Sequence, residues 1–130
     1  MGLELISVIV KDYDEAIAFF VDVLGCALEE DSASLDGDNQ PKRWVVVRPP
    51  GSGCGILLAQ ARGEEQEALV GRQFAGRVGL FLRVENFNSS YQHMSASGVA
   101  FLTEPRTEPY GQVAVFKDLY GNKWDLLGPA

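Results

Sequence analysis

The order strand–helix–strand–strand–strand runs through this chain twice, and that duplication limits the folds open to it more than any other feature. The first copy opens on L-E-L-I-S-V-I-V at Leu3–Val10, a branched stretch too short for an ordinary helix and read as a strand. Asp12, with Glu15 three residues on, has the form of a capping box. The helix it starts sets Ala16, Ile17, Phe19, Phe20 and Val23 on one broad face and ends at Gly25. Cys26–Glu30, Arg43–Arg48 and Gly55–Gln60 read as strands. Asp31–Lys42 reads as a polar loop around the hairpin signal Asp36-Gly37, and Pro49–Gly53 as a turn.

The second copy repeats this order. Val78–Val84 is a strand, Asn86 caps a helix over Phe87–Ser97, and Gly98 ends it. Val99–Thr103, Gln112–Lys117 and Lys123–Leu127 are strands, separated by a proline-bearing loop at Glu104–Gly111 and a turn at Asp118–Asn122. V-K-D-Y-D at Val10–Asp14 lies over V-E-N-F-N at Val84–Asn88, and G-C-A-L at Gly25–Leu28 over G-V-A-F at Gly98–Phe101. One copy buries too little to stand by itself. Two copies predict an α+β domain: two βαβββ modules forming a curved mixed sheet with an open cleft, helices on the outer face. Module 1 spans about residues 1–61, a connector with a short helical turn about 62–76, and module 2 about 77–130. The concave face is then the natural ligand site.

Charge narrows the partners. A net charge of −7 repels nucleic-acid backbones and anionic membrane surfaces alike. No apolar run approaches the roughly 18 residues that a membrane span needs. The N-terminus has neither a basic segment nor a small-residue cleavage site, and Gly2 leads into a strand rather than a lipidation signal. A cytoplasmic location is expected. Cys26 and Cys54 form no CxxC pair and have no histidine nearby, so they read as reduced thiols; a Cys26–Cys54 disulfide stays open at this point.

Two segments carry a family likeness. V-K-D-Y-D-E-A-I-A-F-F at Val10–Phe20, followed by Leu24-Gly25, and P-Y-G-Q-V-A-V-F-K-D-L-Y-G-N-K-W-D-L-L at Pro109–Leu127 resemble the vicinal oxygen chelate superfamily. That superfamily includes glyoxalase I, bleomycin-resistance proteins and extradiol dioxygenases. The resemblance implies paired βαβββ modules, a U-shaped cleft in each, and a homodimer. It also implies a divalent metal held by histidine and carboxylate side chains from the first and last strands of each module. Carried over by position, those ligands fall at about Leu5, at about Gly79, within Ile56–Leu58 and at Asp125. Only Asp125 has a donor atom, and one carboxylate cannot hold Zn²⁺, Ni²⁺ or Fe²⁺ against water. No metal ligand set and no cofactor are therefore expected.

The residues that could carry chemistry are few. His93, the single histidine, falls in the second helix and reads as an outer-face residue. Alternation puts Asp125 opposite Trp124 and Leu126; if those two meet the helix, Asp125 faces the cleft as a ligand anchor or general base. Phe81 and Arg83 share the corresponding face of their strand, where Arg83 could pair with Asp125 or hold an anion. Among Trp44, Phe101, Tyr110 and Phe116, Trp44 and Tyr110 adjoin loops and are the choices for stacking on a ligand; the others read as core. Ser7 and Gln60 could add hydrogen bonds from strand positions facing the cleft. P-P-G-S-G-C-G lacks the ending of a phosphate loop and leads into a strand.

Two functions follow. The first is a metal-free protein that binds a small organic molecule, as drug-sequestering members of the superfamily do. The second is a metal-dependent lyase, isomerase or dioxygenase using Asp125 and non-standard ligands. The missing ligand positions favour the first.

Overall fold

A computed structural model describes residues 1–129, and the chain divides into two compact units, Met1–Val70 and Gly71–Ala130. In the first unit, β1 (Leu5–Val10) leads into α1 (Tyr13–Ala18), which passes into a π-helical turn over Phe19–Val23. The Asp12 carboxylate accepts the Glu15 N–H at 2.8 Å, so the helix starts where the capping signal put it. Gly25, at φ +79°, turns the chain out of the helix. β2 (Ala27–Leu35), β3 (Pro41–Arg48) and β4 (Gly55–Gln60) follow, and the sheet order is β1-β4-β3-β2, with β1 parallel to β4.

The core of this unit is the sheet face under α1. Val8, Val10, Val45, Val47 and Leu58 meet Ala16 and Phe20 there, and α1 packs on β3 and β4. Cys26 is buried too, and the loss of water pushes its thiol up to about 12. Cys26 and Cys54 are both free thiols.

The polar stretch expected to be a loop is largely strand. β2 runs to Leu35 and β3 starts at Pro41, leaving a turn in which Asp36 Oδ1 accepts the Asp38 and Gln40 N–H groups at 2.8 and 2.9 Å. Every residue of β2 is exposed, so no apolar alternation marks this edge strand; ladder bonds to β3 hold it. The connector holds α2 (Gly63–Leu69), which starts three residues before the short helical turn expected around Gln66–Val70.

The second unit contains β5 (Val78–Arg83), α3 (Phe87–Ala96), β6 (Ala100–Phe101), β7 (Arg106–Glu108), β8 (Gly111–Lys117) and β9 (Lys123–Gly128). The order is β5-β9-β8-β6, with β7 also on β8 and β5 parallel to β9. Asn86 caps α3 by accepting the Ser89 N–H at 3.0 Å. Trp124 and Leu126 are buried with Phe87, Met94 and Phe116, and α3 packs on β9. Tyr91, Phe101, Phe116 and Trp124 form a chain of ring contacts with centroids 4.3, 5.7 and 5.7 Å apart; Phe116 lies in the core, whereas Phe101 is half-buried at its margin. The proline-bearing loop contains β7, a short edge strand whose three residues give too little pattern to be seen in sequence. The Asp118 carboxylate organises the turn before β9: Oδ1 accepts the N–H groups of Tyr120, Gly121 and Asn122, and Oδ2 accepts Trp124 Nε1 at 2.9 Å.

Candidate ligand-binding site

A candidate site lies within the first unit, where two strands part. β3 stays paired with β2 from Pro41 to Arg48, yet its ladder with β4 is limited to Val46↔Leu57 and Val47↔Ile56. Tyr13, the first residue of α1, fills the fork. It is buried, and its hydroxyl accepts the Arg43 backbone N–H at 3.3 Å. A side chain thus satisfies a donor that ladder continuation would have used. The Arg43 guanidinium lies 5.0 Å from the Tyr13 ring centre. It also bonds Asp31 through Nε at 3.0 Å and Nη2 at 2.7 Å, and Asp14 through Nη2 at 2.8 Å. The bonds to Asp31, then Asp14, raise the Arg43 pKa further, and the same contact lowers that of Asp31.

Between the parted strands is a cavity of about 220 Å³. Leu57, Leu58 and Ala59 form its apolar wall, Trp44 is 38 % exposed at its side, and Lys42 and Gln60 add polar ends. Arg62 straps one margin, donating from Nη1 to Asp36 Oδ2 at 2.6 Å and from Nη2 to the Pro41 carbonyl. The backbone N–H of Gln40 chiefly, with that of Asp38 and the nearby Arg62 and Lys42 charges, holds the Asp36 carboxyl below its ordinary range. Gln66 Oε1 accepts the Arg62 N–H at 2.9 Å, tying α2 to the same corner.

Trp44 and Gln60 therefore come together on one cavity, as lining residues. Ser7 does not join them: it is exposed on β1, in register with Leu57, and no wall of the cavity includes it. Gln60 also differs from Ser7 in facing. The register Val10↔Gln60 puts it on the side of Val8 and Leu58, and its Nε2 donates to the Lys11 carbonyl at 3.3 Å.

In the second unit, β9 presents Asp125 on the face away from Trp124 and Leu126, with Phe81 directly across on β5 and Val115 across on β8. Phe81 is 61 % exposed. Burial raises the Asp125 pKa, and the Arg106 charge partly offsets it. Of the two roles open to Arg83, pairing with Asp125 is not taken up: Arg83 is in register with Leu127 and exposed, and Arg106 from β7 is the cation acting on Asp125. Arg106 is itself held by Glu108 at 2.7 Å and by Tyr110, which is exposed at the β7–β8 turn. His93 lies exposed on α3.

The positions at which the resemblance implies metal ligands do not fit a metal. Leu5, Ile56, Leu57, Leu58 and Gly79 offer no donor side chain. At Gly79 there is no room for one either, since a Cβ there would stand 2.1 Å from the Phe74 ring. Among the described residues no three His, Cys, Asp or Glu side chains group so as to hold an ion. Among the same residues no helix is long and apolar enough to cross a membrane.

Several cavity residues escaped sequence reading. Tyr13 was visible only as the start of a helix, Lys42 and Arg43 fell at the margin of an apparent loop, and Arg62 fell in the connector. The one usable signal was an aromatic at the first helical position, directly after the capping Asp12.

Comparison with known proteins agrees with this architecture. The family model described as Glyoxalase/Bleomycin resistance protein/Dioxygenase superfamily matches residues 2–126. An uncharacterized protein of Shewanella frigidimarina (strain NCIMB 400) is 50% identical over 123 residues, covering 94% of this chain and 89% of the relative. The crystal structure of UcmS2 superposes with a TM-score of 0.78 at 28% identity, covering 98% of this chain and 97% of that one. TnmS3, an antibiotic binding protein from Streptomyces sp. CB03234, gives 0.77 at 26% identity, covering 100% and 97%. By its family match and its near-full-length relative, the chain belongs to the glyoxalase/bleomycin resistance protein/dioxygenase superfamily.

Proposed function

We propose that this chain binds a small organic molecule without a metal, as a sequestering or resistance-type protein rather than a metal-dependent lyase, isomerase or dioxygenase. The observation that carries the reading is the cavity in the β3–β4 fork, propped by Tyr13 and flanked by Trp44. Apolar walls with a few placed polar groups are what such a site needs. The likeness to an antibiotic binding protein supports the same class of ligand, and the poor fit of the metal positions to any ion supports metal-free capture. Pairing with a second copy of the chain and residence in the cytoplasm, where thiols such as Cys26 and Cys54 stay reduced, belong to this reading.

Tryptophan emission tests it. Trp44 is partly exposed at the cavity while Trp124 is buried in the other unit's core, so the two emit differently. Titration with small aromatic compounds of differing charge, ring-bearing antibiotics among them, should produce a saturable change in wild type and none in Trp44→Phe. If no compound in such a panel alters the Trp44 signal, the reading is overturned.

A further inference from the structure

We infer that the ligand of the β3–β4 cavity is a small planar aromatic molecule bearing an anionic group, with Lys42 as the residue that selects the charge. The inference rests on the binding function proposed above and adds the chemistry of what is bound.

The polar groups around the cavity are unequal. Its only carboxylate, Asp36, already accepts from Asp38 N–H, Gln40 N–H and the Arg62 guanidinium. A cationic ligand would have to compete with those partners. Among the cationic groups, Arg43 is committed to Asp14 and Asp31, and Arg62 to Asp36 and the Pro41 carbonyl. Lys42 is different: among the described residues no hydrogen bond or ion pair engages its ammonium group, which acts on Asp36 only at longer range. Lys42 is half-buried along the cavity, so its side chain sets an uncommitted positive charge beside an apolar wall, where an incoming anion can pair with it. Trp44 supplies a flat face at the same cavity, and Leu57 and Ala59 a wall at which a ring loses its water. At about 220 Å³ the space suits one or two fused rings rather than a large drug.

The test uses the full chain labelled with ¹⁵N, whose spectrum carries one indole signal from each of Trp44 and Trp124, assigned with Trp44→Phe. Three probes of one shape are titrated: 2-naphthoate, neutral 2-ethylnaphthalene, and the cation 2-naphthylmethylammonium. The expected result is a saturable shift of the Trp44 indole, with 2-naphthoate at least tenfold tighter than the cation and the neutral probe between them. Lys42→Met keeps the length and removes the charge. It should weaken 2-naphthoate about tenfold and leave 2-ethylnaphthalene unchanged. Equal affinity for the three probes, a preference for the cation, or an unaltered naphthoate affinity in Lys42→Met would overturn the inference while leaving cavity binding intact. Failure of every probe to move the Trp44 indole would overturn both it and the binding reading of this cavity.

Discussion

The Tyr13 hydroxyl accepts the Arg43 backbone N–H at 3.3 Å while the Arg43 guanidinium lies 5.0 Å from the centre of the same ring. One aromatic side chain thus both ends the β3–β4 ladder and holds the cation at its rim. Tyr13→Phe keeps the ring and leaves the Arg43 N–H without its acceptor. The expected cost is about 1 kcal/mol, seen as a lower urea midpoint with an unchanged slope. A variant as stable as wild type would mean that water serves that donor equally well.

Asp118 and Trp124 give a second prediction. The buried carboxylate collects three backbone N–H groups and an indole N–H, so all its partners are donors. Asp118→Asn introduces an NH₂ group among them. A loss of about 3 kcal/mol is expected, with a weakened near-ultraviolet dichroism from Trp124. Retention of both would show that the turn re-forms on the amide.

For Asp125 the sign of the pH dependence is set by burial. Its folded-state pKa is raised, so the folded chain holds that proton to higher pH than the unfolded chain does. The two states are equal at this site below the unfolded value of about 3.9. Stability then falls as pH rises through the folded value and stays lower above it. Asp125→Asn removes this term: it should match wild type in acid and exceed it at neutral pH. Paired denaturation curves at pH 3.5 and pH 7 check it, and a variant that loses stability at neutral pH would reverse the assignment.

Thiol chemistry should separate the two cysteines. Cys26 is buried with its thiol pushed up to about 12, whereas Cys54 is partly exposed. Ellman's reagent at pH 8 should titrate one thiol in the native protein and two after denaturation, because the thiolate is the reactive form. Rapid reaction of both in the native state would contradict the burial of Cys26.

Gly79→His should fail to create a metal site. Its Cβ would meet the Phe74 ring at 2.1 Å, and relief demands movement of the ring or of β5. A destabilisation of about 2 kcal/mol or more is expected, with no gain in zinc retention after dialysis. A well-folded variant that keeps one equivalent of zinc would refute this.

Legibility in the sequence tracked the range of the interactions. The caps at Asp12 and Asn86, the helix end at Gly25 and the inward alternation of Trp124 and Leu126 are local, and each stood in a short stretch of residues. β2 beyond Glu30 was hidden because a strand exposed on both faces has no reason to alternate. The fork was hidden for a different reason. It depends on Tyr13 reaching a backbone group thirty positions away, and on Arg62 gripping Asp36 and Pro41 across the hairpin. Arg106 likewise reaches the face of Asp125 only because β7 pairs with β8. Trp44 and Gln60 could be singled out beforehand, but not the residues that join them at the cavity.

The ring of Phe74 over Gly79 bears on the history open to this chain. For a histidine to stand at position 79 without displacing the ring or β5, Phe74 must be replaced; replacing it first leaves a void, and adding the histidine first creates a collision. Each order passes through a weakened intermediate, so merely placing a donor side chain on that strand takes two coordinated substitutions. Substitutions in the cavity of the other unit leave that barrier in place.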